Sequence, residues 1–511
     1  MEATAANPPS SNRRWWTAVG LITALATVPR VIGSFEGIAW DELYLRAWVH
    51  GRSLGEMLHL VAVKEKTPPL GFVLSWIADQ LSSGSSSSGL IRLPSLLAGV
   101  ALIPIVALLG RRLIGSRAGV AAAAIAAASP FLVFYSVEAR SYSLTVALST
   151  ASTLLLLRAL DRGGKANWIF YSGVSALALM SHFTAIGVLA AQALWAFGVF
   201  GEKRRQVALS QLGPVLAVLA WLPWLHQQVS NSSDELHRIS ALSPLSLDTV
   251  ATIMGHSYLG HPLTGVDRVP GQSGLILIAA GIGVSLGALI MERLRGSGPK
   301  APSLVRRNLS LILLLALAAP ALALAVSLQP GQSMLLPRNL ITSVPFVILL
   351  VSALLTGRSR PVALISVGLV TAGLLFGTVV ELKDVQRPTT SKAADAIASR
   401  WKPGDQVVEL CCLAGGKGPL GQGLSVQLQS GPREALTILS VGGDKGYAQS
   451  LKNRVPLFVV GYRVHGGKAP ILYIPPAEWK AKFKRTWAKE WTGLLDTVVW
   501  EFMPVAPKSG R

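Results

Sequence analysis

Two cysteines in 511 residues exclude a disulfide framework, because they are neighbours, Cys411 and Cys412, and neighbouring Cβ vectors diverge in ordinary backbone. The same scarcity removes any cysteine-rich metal site. Charge is scarce as well: Asp, Glu, Lys and Arg make up 14% of the chain, against 51% hydrophobic residues. Soluble domains carry about 25% charged residues, so this composition points to a chain that crosses a membrane several times. The scarcer sign is acidic, 26 residues against 47 basic. A net charge of +21 taken alone suggests nucleic acid, but no basic stripe carries interleaved aromatics. Basic residues crowding the short cytoplasmic loops of a membrane protein account for the excess instead.

What the chain does have is long apolar runs. Eleven fall near residues 15–34, 92–110, 117–136, 142–160, 167–182, 183–200, 208–228, 272–291, 308–328, 339–356 and 361–381. Arg13-Arg14 before the first run can mimic a signal peptide, but no small-x-small cleavage site closes it. Its ~20 residues suffice to span, so it reads as a retained first span with the N-terminus in the cytoplasm. Residues 68–81 form a shorter segment that holds Asp79 and reads as an interfacial helix. With that segment outside, the loops on one side carry eighteen basic residues, among them Arg111, Arg112 and Arg117. The short loops on the other side carry four: Arg140, Arg238, Arg268 and Arg338. Counting 68–81 as a span would invert this distribution and break the positive-inside rule.

The fold class expected is therefore an all-α polytopic membrane protein of about eleven spans. Residues 1–384 form the membrane domain, with a first outer loop at 35–91, and 385–511 form a small extracytoplasmic α/β domain. In that tail, 407–410, 457–460 and 471–474 read as strands. Residues 391–400 and 477–489 read as amphipathic helices. Residues 82–89, all Ser and Gly, read as a flexible connector without chemistry.

Charge inside such a protein is expensive and needs a reason. The acidic pair Asp41-Glu42 opens the first outer loop; one carboxylate could take the proton of an attacking hydroxyl while its neighbour orients it or binds a metal. The bland alternative is an interfacial pair facing a helix dipole. Lys66 and Arg92 are cations able to hold a phosphate, or else to snorkel to head groups. Pro68-Pro69 stiffens the turn after Lys66. Glu138, Arg140 and Tyr142 follow at the same membrane level; a Glu and an Arg so close in sequence often simply pair with each other. Arg338 and His182 also lie at outer boundaries, His182 being by default a packing residue.

These motifs together resemble the GT-C glycosyltransferases, specifically bacterial relatives of the protein O-mannosyltransferases and the lipid A aminoarabinose transferase. The acidic motif is Asp41-Glu42, and a Glu-Lys-Pro-Pro-Leu-like element stands as Glu65-Lys66-Thr67-Pro68-Pro69-Leu70, with one extra Thr. Arg92-Leu93-Pro94-Ser95, Ser129-Pro130 with Tyr135 to Ser143, and Leu222-Pro223-Trp224 complete the series in family order. A late Arg-Tyr-Leu element corresponds to Arg338-Asn339-Leu340. The resemblance covers residues 15–228 well, is thinner to about 381 and does not reach the tail.

The resemblance implies an inverting transfer from a polyprenyl-phosphate sugar to an extracytoplasmic glycan, lipid or protein, at a bacterial plasma membrane. It implies Asp41 as the base, with Glu42 beside it, and Lys66, Arg92 and Arg338 at the phosphate. Glu65, Glu138, Arg140, Tyr142 and His182 would line the site. Some relatives bind a divalent metal near the acidic residues and others work without one, and no ligand spacing here decides between them. The rival readings are a transporter or flippase of lipid-linked sugars, for which paired halves or matching broken spans would be the sign, and a non-catalytic assembly subunit of the same fold.

Overall fold

The computed structural model describes residues 9–38, 41–81, 90–230, 240, 243–295, 303–385, 387, 389–410, 423–428, 430–439, 455–464, 482–493 and 495–505. They fall into two compact units. One comprises Met1–Ser34 with Trp48–Glu381, and the other Phe35–Ala47 with Leu382–Arg511.

The first unit is helical. It holds α3 (Leu54–Lys64) and α4 (Leu70–Gln80), while α2 (Asp41–Val49) belongs to the other unit up to Ala47. It also holds α1 (Pro9–Ser34), α5 (Leu93–Leu113), α6 (Ser116–Ala128), α7 (Pro130–Ser136), α8 (Tyr142–Arg162), α9 (Lys165–Ser181), α10 (Ala185–Val199), α11 (Arg204–Ser210) and α12 (Leu212–Ser230). Then come α13 (Leu247–Tyr258), α14 (Gln272–Leu294), α15 (Ser303–Ser327), α16 (Val344–Thr356) and α17 (Arg360–Asp384). The protein is thus an integral, multi-pass membrane protein.

Among the described residues eight helices are long and apolar enough to cross a membrane, and a bent pair, α6 with α7, makes up to nine. Two further expected spans are α9 and α10, of 17 and 15 residues. At about 1.5 Å per residue neither reaches the ~30 Å of a hydrocarbon core without its flanking turns. The segment at 68–81 is α4, 11 residues long and outside the set of span candidates.

The bend between α6 and α7 is 64° and has an identifiable cause. Pro130 has no N–H, so the Ala126 carbonyl loses its helical partner. Ser129 caps α7 by accepting from the Leu132 amide at 3.4 Å. The freed carbonyls are met by donors from other helices. Arg30 of α1, fully buried, donates to Ala126 O at 3.4 Å, Ala127 O at 3.3 Å and the Ser136 hydroxyl at 3.1 Å. Thr378 of α17 donates to Ala128 O at 2.9 Å. An arginine in a membrane helix is costly, and here it supplies the hydrogen bonds that water cannot. The main core, around Phe131, Tyr171, Phe346 and Leu349, packs against this frame.

The second unit carries a five-stranded sheet in the order β2-β1-β3-β5-β4. The strands are β1 (Gln406–Leu410), β2 (Leu436–Leu439), β3 (Leu457–Val464), β4 (Phe483–Trp491) and β5 (Leu495–Pro504). The first three run parallel, while β5 and β4 pair antiparallel at one edge. Helix α18 (Thr390–Ala398) and the short α19 (Gly423–Gln427) cover one face, where Ala393, Ile397 and Leu424 meet Val407, Phe458 and Val460. The small α/β domain expected from the sequence is present, with the strands at 407–410 and 457–460 and the helix at 391–400. The expected strand at 471–474 and the connector at 82–89 lie outside the described residues.

One expectation is corrected. Residues 483–489, expected as helix, belong to β4, which pairs with β5 from Phe483 opposite Pro504 to Trp491 opposite Thr497. Pairing with a long neighbouring strand outweighs the helical spacing of its aromatic residues, Phe483, Trp487 and Trp491, which lie four apart.

Candidate active site

The loop that presents Lys66 is built from its ends inward. Ser53 opens α3 with a reciprocal capping box to Glu56, and the helix stops at Glu65, whose backbone is extended. The Glu65 amide still donates to Val61 O at 3.1 Å. Its carboxylate does two things: Oε1 accepts from the Lys66 amide at 2.9 Å, and Oε2 accepts from Arg140 Nη1 at 2.9 Å. Both side chains of this ion pair are about nine-tenths buried. Arg140 also lies over the Phe72 ring at 5.4 Å, and its carbonyl accepts from the Ser95 hydroxyl at 2.8 Å. Gly71 lets α4 approach so closely that a Cβ there would sit 2.8 Å from that of Ser141.

Arg140 thus pairs with Glu65, 75 residues away in the sequence. Glu138 is buried in the same turn before α8. Tyr142 opens α8 and meets the His182 ring at 5.5 Å between centroids. His182 caps the end of α9, where its Nδ1 lies 3.2 Å from the donating Thr184 amide. Arg140 and Arg338 are its electrostatic neighbours. Glu65, Arg140, Tyr142, His182 and Arg338 thus come together in the first unit. Asn339 uses its amide to hold the turn, donating to Met334 O at 2.9 Å.

Arg92 is fully buried and donates to Ser34 O at 2.9 Å, at the C-terminal end of α1. There its charge meets the negative end of a helix dipole.

In the second unit the acidic pair divides. Asp41 and Glu42 both sit in the first turn of α2, where a helix N-terminus favours carboxylates. Glu42 is fully buried, with Oε2 3.6 Å from Arg387 Nε. Arg387 is held in turn by Glu36, which accepts from its amide at 3.0 Å. Asp41 is half-buried. Arg387 was not singled out from the sequence; the available signal was an arginine between Gln386 and Pro388, just past the last span on the side where basic residues are few. Among the described residues no group of three or more His, Cys, Asp or Glu side chains gathers as a metal-ligand set would.

The helical frame and the terminal sheet together define a class: the fold is that of the GT-C membrane glycosyltransferases. It is similar to ArnT from Cupriavidus metallidurans in the apo state, with TM-score 0.51 and 15% identity over 94% of this chain and 97% of that one. It is similar to the same protein bound to undecaprenyl phosphate, with TM-score 0.50 and 14% identity over the same shares. Within that class, residues 66–226 match the family described as dolichyl-phosphate-mannose-protein mannosyltransferase. The matched stretch begins at Lys66 and takes in Arg92, Glu138, Arg140, Tyr142 and His182. No curated protein matches the chain by sequence.

Proposed function

We propose that this protein is an inverting glycosyltransferase that moves a sugar from a polyprenyl monophosphate to an acceptor hydroxyl on the outer face of the membrane. The observation that carries this is the tethered loop presenting Lys66, braced by the buried Glu65–Arg140 bridge and opening the stretch that matches the mannosyltransferase family. The ArnT structure of the same fold is bound to undecaprenyl phosphate, a carrier of this chemistry.

Lys66 neutralises the donor phosphate and stabilises it as it leaves. Asp41, the accessible member of the acidic pair, takes the acceptor hydroxyl proton as the new bond to the anomeric carbon forms and the bond to phosphate oxygen breaks. Attack opposite the leaving group inverts that carbon. Phosphate departs without a proton, so no second carboxylic acid is needed, unlike glycoside hydrolysis. Glu42, locked to Arg387, and Arg92, spent on the end of α1, act as braces in this scheme. Arg338 adds positive charge beside His182. The eighteen-to-four division of basic residues supports an outer location for this chemistry and for the C-terminal unit.

The test is a transfer assay on purified protein in detergent with a panel of synthetic polyprenyl-phosphate sugars, with and without chelator. One productive sugar with inversion at the anomeric carbon is the expected result; carrier movement across vesicles without any covalent transfer would overturn it. For sidedness, Lys402→Cys in a variant lacking Cys411 and Cys412 should react with an impermeant thiol reagent in intact cells.

A further inference from the structure

We propose that Gln228, with Trp221 behind it, is a positioning residue that fixes the Lys66 loop for a phosphate-bearing lipid, a role that rests on the reading just given. Gln228 lies near the end of α12 and is 2% exposed. Its Nε2 donates to Val61 O at 3.2 Å and to Thr67 O at 3.1 Å, across 167 and 161 residues of sequence. Its Oε1 accepts from the Trp221 indole N–H at 3.0 Å. Both amide donors are used and the acceptor is held, so the carboxamide has one orientation. Trp221 is fixed in turn by stacking on Trp224, with centroids 4.9 Å apart.

The loop needs such an outside clamp. Pro68 and Pro69 have no N–H groups, so the two residues after Thr67 cannot brace the turn by donating. The Thr67 hydroxyl is buried without a hydrogen-bond partner, leaving the carbonyl as the polar hold on that residue. Thr67 is also the residue by which this loop exceeds the family element. On the other side of Lys66, the Glu65 carboxylate binds the Lys66 amide and Arg140. The backbone of Lys66 is therefore tied on both flanks, once through α8's entry turn and once through α12. Removing the α12 tie frees the loop to move its ammonium away from the phosphate while leaving the reacting groups untouched.

The experiment uses full-length purified protein and undecaprenyl phosphate as the probe. Gln228→Met keeps the side-chain length and removes both donors; Trp221→Phe removes only the indole donor. We expect Gln228→Met to weaken undecaprenyl phosphate binding and lower kcat/KM for the donor about tenfold, with KM raised and kcat lowered together because Lys66 acts on the bound and on the leaving phosphate. Trp221→Phe should give about threefold. In a Lys66→Ala background, Gln228→Met should add less than about twofold, because its effect passes through Lys66. Unchanged binding in folded Gln228→Met protein, or a full tenfold loss persisting without Lys66, overturns the positioning role. Wild-type protein that binds no undecaprenyl phosphate would instead overturn the proposed function itself.

Discussion

Where the first unit interrupts its helices, the carbonyls set free are met by side chains: Arg30 and Thr378 at the α6–α7 bend, and Arg92 at the end of α1. In the second unit the strands satisfy one another, and buried charge is tied to other side chains: Glu42 to Arg387, Arg400 to Glu501 at 2.7 Å, Glu409 to Tyr462 at 2.6 Å. The difference follows from the solvent. A carbonyl at a helix break inside a bilayer has no water to turn to, so each irregularity demands a donor. A sheet whose strands pair with one another makes no such demand, and its buried acids are left to answer to burial and pH.

The sharpest challenge to this contrast lies at the acidic pair. Asp41→Asn should lower transfer by about 10²–10⁴-fold, the usual weight of a general base, with an unchanged thermal midpoint. Glu42→Gln should do the reverse in emphasis, lowering the midpoint because Arg387 loses a buried partner, and reducing transfer less. A near-normal rate for purified Asp41→Asn would remove the base assignment.

Next in size is Arg140→Met, which leaves the Glu65 carboxylate buried without its cation. Transfer should fall about a hundredfold, with a loss of stability of roughly 3 kcal/mol in line with broken buried pairs. Arg30→Lys should cost less, about tenfold in transfer, because one ammonium cannot reach every acceptor that the guanidinium holds. A lowered midpoint of the first unit, read by tryptophan fluorescence, checks it; no change would mean that the bend holds itself.

The smallest effect belongs to the second unit. Burial pushes the Glu409 carboxyl up to about 8 from an ordinary 4.5, against the lowering hydrogen bond from Tyr462. The folded state therefore favours the protonated acid. That contribution is fully present below about pH 4.5 and is lost as pH rises towards about 8. Glu409→Gln should flatten this dependence, shifting the thermal midpoint of the C-terminal unit by a few degrees at pH 8 relative to pH 5. Parallel pH profiles for variant and wild type would show that Glu409 is not the group responsible.

Much of the frame was legible in the sequence because apolar length and loop charge are one-dimensional properties. The short α4 and the strands β1 and β3 follow from them, and the same properties draw attention to Asp41 and Lys66. The pairings were not legible. Arg140 sits two residues from Glu138 yet bridges to Glu65, because the turn at Ser136 to Ser141 and the loop after α3 meet only in three dimensions. Gln228 reads in sequence as an ordinary polar residue ending a span. The strand β4 reads as a helix, since Phe483, Trp487 and Trp491 recur four residues apart while its partner strand is supplied from further along the chain.

Arg30 has a consequence for how the chain is made. It leaves the ribosome about a hundred residues before the groups it binds, Ala126 and Ser136 being 96 and 106 residues downstream. At roughly 5–20 residues per second that interval is about 5–20 s. During it, α1 carries, four residues from its end at Ser34, an arginine that opposes insertion until it is paired. Helix α1 is thus only provisionally anchored, and it becomes committed when α6 and α7 arrive to receive its guanidinium. Stalled nascent chains that expose residues up to 120 should release α1 to alkaline extraction more readily than chains that expose residues up to 145, and Arg30→Leu should abolish the difference.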